Sequence, residues 1–193
     1  MPIVNCFNRE NRYLEINGKL AIDNAELRRV HNRANFTFIP SSLGKMRYKK
    51  EHEIAEVVRT FEDATITRDD WKHAEHLTVA LLYLCNHDVD TATEKMRKGL
   101  FKLLRSFGVD LTKEMPYHET LTIFWIRVVS DFNASKNGAS LLDKTNELIA
   151  TYDKDYPLRF YSREFLFSDE ARIRFVEGDI SKHFSEKLIA DSL

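Results

Sequence analysis

Turn-forming residues are scarce in this chain. Six glycines and four prolines among 193 residues leave little material for the many tight turns of a β-sandwich or barrel, which draw on glycine's positive φ and proline's fixed φ. Cysteine is scarcer still. Cys6 and Cys85 cannot make a disulfide framework, so a reducing compartment is expected, with the cytoplasm as the location. No apolar run approaches the ~20 residues that span a bilayer, and Met1-Pro2-Ile3-Val4-Asn5 lacks the charged start and apolar core of a signal peptide. No membrane partner is expected. Surplus charge is missing too: 29 Lys and Arg against 30 Asp and Glu give a formal net charge of −1. Nucleic-acid binding leans on basic surface, so no nucleic-acid partner is expected either. The basic run Lys45-Met46-Arg47-Tyr48-Lys49-Lys50 reads as a solvated segment ahead of a helix. A Gly-rich phosphate loop, a Cys-x-x-Cys pair and a Gly-x-Ser-x-Gly elbow are all lacking, which removes motif support for nucleotide binding and serine-hydrolase chemistry.

What the chain has is bulk and helical periodicity. Thirteen Phe, seven Tyr and two Trp, with 43% apolar and 31% charged residues, suffice for one domain with a full core. The pattern predicts a mainly α fold: a bundle of four or five main helices over residues 45–193 with an aromatic C-terminal tail, preceded by an N-terminal β-hairpin extension over residues 1–44. The hairpin is read from Tyr13-Leu14-Glu15-Ile16 and Lys19-Leu20-Ala21-Ile22 around Asn17-Gly18, a pair suited to a type I′ turn. A short helix from Ala25 to Ala34 and an extended Phe36-Thr37-Phe38-Ile39 follow. A lone hairpin is marginal, which makes this extension a candidate surface for a homo-oligomer.

Helix signals then recur. Ile54, Val57, Val58 and Phe61 fall at helical spacing and predict a helix from about Lys50 to Glu62. Thr67-Arg68-Asp69-Asp70 reads as a capping box opening a helix to about Cys85. Asp90 is the expected cap of a third helix that Gly108 ends. Pro116 suits the first turn of a fourth, running to about Ala134. Ser140 opens a fifth, ending near Tyr152, and Ser168-Asp169-Glu170-Ala171 starts a short one in the tail.

Candidate chemistry lies in two segments about forty residues apart, Trp71-Lys72-His73-Ala74-Glu75-His76-Leu77 and Tyr117-His118-Glu119-Thr120. On a helical wheel His73 and His76 share a face while Glu75 points away. His118 borders the core face of the fourth helix. Imidazoles converging from two packed helices can hold a divalent transition metal (Zn, Fe, Ni or Mn), and His73, His76 and His118 are the candidate ligands. Glu75, Glu119 and Tyr117 are the candidate catalytic groups, as general base or as anchor of an imidazole. The competing reading takes the same histidines as core residues and the acids as companions of helix N-termini, which favour negative charge.

These segments, with Phe61-Glu62, Phe160-Tyr161-Ser162-Arg163-Glu164 and Phe167-Ser168-Asp169-Glu170-Ala171-Arg172, resemble a group of small bacterial all-helical proteins over about Glu51 to Glu177. That resemblance implies a fold and a shared pocket rather than a reaction. The chain is more loosely similar to DinB-like four-helix bundles, which implies a three-histidine metal site. It departs from them in having His118 alone where they carry a later His-x-x-x-His pair. The function expected is a metal-dependent or acid/base enzyme acting on a small molecule in a His/Glu-lined interhelical pocket. The alternative is a non-enzymatic ligand-binding or assembly protein whose histidines are structural.

Overall fold

A computed structural model describes residues 46–114 and 116–180. The expected hairpin, the short helix after it, the segment 36–39 and the terminal stretch from Ser181 lie outside the described residues. Within them the chain is mainly helical, as expected. Five longer helices, α1 (Glu51–Asp63), α2 (His73–Asn86), α3 (Val89–Ser106), α4 (Glu119–Ser135) and α5 (Leu141–Thr151), are followed by a 3₁₀ turn (Tyr156–Arg159) and two short helices, α6 (Arg163–Leu166) and α7 (Asp169–Ile173). Among the described residues no helix is long and apolar enough to cross a membrane.

The caps explain where helices begin and end. Asp88, two residues before the expected Asp90, caps α3 by accepting the Thr91 N–H at 2.7 Å, and Gly108 ends it at φ +74°. Ser140, Ser162 and Ser168 each accept a backbone N–H three residues on, opening α5, α6 and α7. Two starts differ from the sequence reading. The Thr67 hydroxyl and the Asp70 carboxylate do bond, at 2.6 Å, but they close one isolated turn. Lys72 is extended (φ −120°, ψ −177°), and α2 begins only at His73, where Glu75 reaches back to accept the Lys72 N–H at 3.0 Å. Trp71 therefore sits on a connection ahead of the helix, and Lys72 is its N-cap. Likewise Pro116 and Tyr117 precede α4, and His118 is its N-cap.

Helix α2 is the centre of the bundle. It packs on α1, α3, α4 and α5, and Leu77, Thr78, Val79, Ala80 and Leu81 are buried in succession, so the helix is enclosed on every side rather than amphipathic. Thr78 is tolerated there because its hydroxyl bonds the Ala74 carbonyl at 2.7 Å and the Tyr48 hydroxyl at 3.1 Å. The segment before α1 is tied to α5 by paired bonds between the Tyr48 backbone and the Asn146 side chain, at 3.0 and 2.9 Å. The tail makes a second core with the outer side of α4: Phe124 and Val128 meet Tyr156, Phe160, Tyr161, Leu166 and Val176. The aromatic tail thus packs on the bundle through α4.

One glycine fixes how closely α1 and α3 approach. A Cβ at Gly99, in the middle of α3, would fall inside the Cε1–Cζ edge of the Phe61 ring. Alanine is normally the better helix former by about 1 kcal/mol, but overpacking here costs about 1–3 kcal/mol. Gly99→Ala is therefore expected to lower unfolding stability by up to about 2 kcal/mol in a denaturant titration. Adding Phe61→Leu should recover part of the loss, whereas additive losses would show that the two residues do not share the constraint.

Candidate functional site

A cleft of about 440 Å³ lies between α2, α3, α4 and the connections that lead into α2 and α4. Its wall is mostly apolar. Trp71, Ala80, Met96, Leu100, Leu104, Leu121, Trp125 and Ile126 line it, with His73, His76, His118, Tyr117 and Thr122 as polar members and Lys72 and Lys154 as its charged ones. All three predicted imidazoles and Tyr117 reach this cleft. The two predicted carboxylates do not line it.

What each imidazole can do follows from what its ring nitrogens already hold. A carbonyl oxygen can only accept, so a ring nitrogen facing one must carry the proton. His73 Nε2 donates to the Tyr152 carbonyl at 3.1 Å, and its ring lies 4.6 Å from Trp125. His76 Nδ1 donates to the Lys72 carbonyl at 2.9 Å, and its ring lies 4.1 Å from Trp71. His118 is committed at both nitrogens: Nδ1 accepts the Leu121 N–H at 3.3 Å as the cap of α4, and Nε2 donates to the Leu166 carbonyl at 2.8 Å. Burial disfavours the charged form of all three, outweighing the acceptors that face them. It pushes His76 down to about 4 and holds His73 and His118 below the ordinary histidine value. All three are neutral at pH 7.

The carboxylates are spent on ion pairs. Glu75, 2% exposed, binds Arg47 as well as the Lys72 N–H, on the other side of α2 as the wheel implied. Glu119 takes a two-pronged contact from Arg97 of α3 and a hydrogen bond from the Tyr117 hydroxyl. Burial would raise Glu119, but those donors prevail and hold it below the usual carboxylate range. Burial and the neighbouring Glu119 push the Tyr117 hydroxyl up to about 12. Thr120 completes the segment, donating to the Arg174 carbonyl at 2.9 Å and accepting the Val176 N–H at 3.1 Å. Each residue of Tyr117-His118-Glu119-Thr120 thus makes a defined bond: two toward α3 through Glu119, one that caps α4 and grips the tail, and one that pins the tail. Among the described residues, no three His, Cys, Asp or Glu side chains gather to hold a metal ion.

Sequence reasoning missed Arg97, whose partner lies on another helix, and the placement of both tryptophans and Lys154 on the cleft. No protein-family model, no curated protein and no solved structure matches this chain.

Two expectations follow. His118→Ala removes an N-cap, worth about 1 kcal/mol, and strands the buried Leu166 carbonyl at about 1–3 kcal/mol. Chemical denaturation should therefore register a loss of about 2–4 kcal/mol. His118→Asn, which can still cap, should return about 1 kcal/mol of it; equal losses would mean that the cap contributes nothing. The second expectation concerns pH. His73, His76 and His118 bind protons less readily folded than unfolded, so acid favours the unfolded chain. Their contribution is complete above the unfolded value of about 6.5 and is lost as pH falls toward the lowered folded values. The melting temperature should drop between pH 7 and 5, and drop less steeply in His118→Asn. A melting temperature that stays flat across that window would contradict this account.

Proposed function

We propose that this protein binds a small, planar, largely apolar molecule in the cleft between α2, α3 and α4. The observation that carries the reading is the cleft's build: a concave, mostly apolar volume of ligand size with a few fixed polar groups, the usual make-up of a small-molecule site. Two aromatic–imidazole pairs line it, Trp71 with His76 and Trp125 with His73; Trp71 is itself held between Phe61 and His76, which leaves the imidazole rings and Trp125 to offer flat faces. Flat, offset stacking of a ligand ring on such faces adds to the gain from burial.

Acid/base turnover of the bound molecule is the second reading, and one observation favours it. His73 and His76 each keep one ring nitrogen that no described residue occupies. Glu75, Glu119 and Tyr117, by contrast, would have to leave ion pairs or a strong hydrogen bond to serve as acid or base. A transition metal held by His73, His76 and His118 would require His118 to surrender one of its two backbone hydrogen bonds, the Nδ1 cap of α4 if Nε2–H stays on the Leu166 carbonyl. The binding reading needs no such rearrangement.

Both tryptophans of the chain line the cleft, so intrinsic fluorescence reports on it directly. Titration with a set of planar aromatic fragments is expected to quench or blue-shift that emission saturably, at about millimolar affinity or tighter. A Leu100→Phe/Leu104→Phe variant, which narrows the cleft from α3, should abolish the response. A full set of fragments without effect on the wild type, or with the same effect on the narrowed variant, would reject the reading. Any fragment that binds is then incubated with the protein and examined for chemical change, which separates binding from turnover.

A further inference from the structure

We infer that the cleft selects a ligand that donates hydrogen bonds, a planar molecule bearing an O–H or N–H group, and discriminates against its alkylated counterpart. The inference rests on the reading of the cleft as a ligand site and adds the chemistry of what enters it. The Tyr152 carbonyl fixes the proton of His73 on Nε2, and the Lys72 carbonyl fixes that of His76 on Nδ1. A neutral imidazole has one N–H and one lone pair. His73 Nδ1 and His76 Nε2 are therefore acceptors. Neither is bonded to a described residue, and among the described residues no buried side-chain nitrogen or oxygen lacks a partner. Both nitrogens must then be reachable from solvent, on rings that line the cleft.

The rings are also held in place. His76 lies against Trp71 and His73 against Trp125, so neither can swing its N–H inward without breaking a backbone bond and an aromatic contact. The lining also holds two open donors, the indole N–H groups of Trp71 and Trp125, which like the two imidazole lone pairs are bonded to no described residue. The remaining polar groups are spent: the Tyr117 hydroxyl donates to Glu119, the Thr122 hydroxyl to the His118 carbonyl, and the His118 Nε2–H to Leu166. Cations border the cleft at Lys72 and Lys154, both exposed, the latter bonded to Asp155 at 2.7 Å. A ligand oxygen can accept from an indole whether or not it is alkylated. Only a hydroxyl or amino group can also meet the imidazole lone pairs with a proton, and that is the difference the cleft reads.

Two probes of one shape test this by calorimetry at pH 7.5: 2-naphthol and 2-methoxynaphthalene. The expected result is that 2-naphthol binds about three- to ten-fold more tightly than the methoxy compound, the effect of one net hydrogen bond. His76→Phe and, separately, His73→Phe keep a ring against the tryptophan and remove the acceptor. At least one of these variants should erase the preference while still binding the methoxy compound. Equal binding of naphthol and its methyl ether, or a preference that survives both variants, would overturn the inference and leave the cleft standing as a ligand site. Failure of both probes to bind wild type would count against the site itself and take the inference with it.

Discussion

The position of one aromatic ring governs most of this architecture. The edge of Phe61 sits over Gly99, where any side chain would collide with it, and its face stacks on Trp71 at 4.7 Å with the rings only 12° from parallel. Trp71 in turn carries His76 at 4.1 Å. A contact between α1 and α3 is thereby passed, ring by ring, to the wall of the cleft. Glycine in mid-helix is unfavourable by about 1 kcal/mol, but here the backbone of α3 gives a fully buried aromatic ring its seat, and burying such a ring gains about 1.5–3 kcal/mol. The extended connection at Trp71 and Lys72 serves the same end. Were α2 to begin at Asp70, Trp71 would be fixed to a helical face and could not lie flat between Phe61 and His76.

The histidine- and acid-rich segments have the composition of a catalytic site and, for the larger part, the behaviour of fasteners. Glu119 joins α3 to α4 through Arg97, His118 joins the start of α4 to the Leu166 carbonyl, and Thr120 holds the backbone at Arg174 and Val176. Helix starts leave backbone donors unsatisfied, and a tail without long helices leaves carbonyls unsatisfied. Polar side chains at the junction meet both needs at once. The same residue types that perform proton transfer are well suited to this work, since both tasks require donors and acceptors at set positions. Composition alone therefore cannot separate them. Counting the ring nitrogens that remain open does, and it divides His118 from His73 and His76.

Much of the helical layout was legible. The spacing of Ile54, Val58 and Phe61 located α1 to within a residue at each end, and Ser140 and Gly108 mark their boundaries through caps that act locally. The starts of α2 and α4 were not legible, because what decides them is not local. Thr67 and Asp70 satisfy each other and close a turn whether or not a helix follows. Pro116 is compatible with a first helical turn, yet the bonds of Tyr117 to Glu119 and of His118 to Leu166 draw the chain out of helix until Glu119. The wheel separated Glu75 from His73 and His76 correctly, since angular position on α2 is a local property. It could not show that a carbonyl from Tyr152, seventy-nine residues away, would choose the tautomer of His73.

That choice of tautomer determines the character of the cleft. With Glu75 and Glu119 drawn into ion pairs outside it, and with the three imidazoles kept neutral by burial, the charge at the cleft is that of Lys72 and Lys154, which are exposed to solvent. Among uncharged ligands, shape and short-range hydrogen bonding must discriminate. Those are the interactions that fixed rings provide best. A ring free to rotate would reorganise to suit a donor or an acceptor, and its preference would shrink by the cost of that reorganisation. A ring clamped between a carbonyl and a tryptophan cannot, so the backbone bonds that limit His73 and His76 as catalysts are the same bonds that make them selective as acceptors.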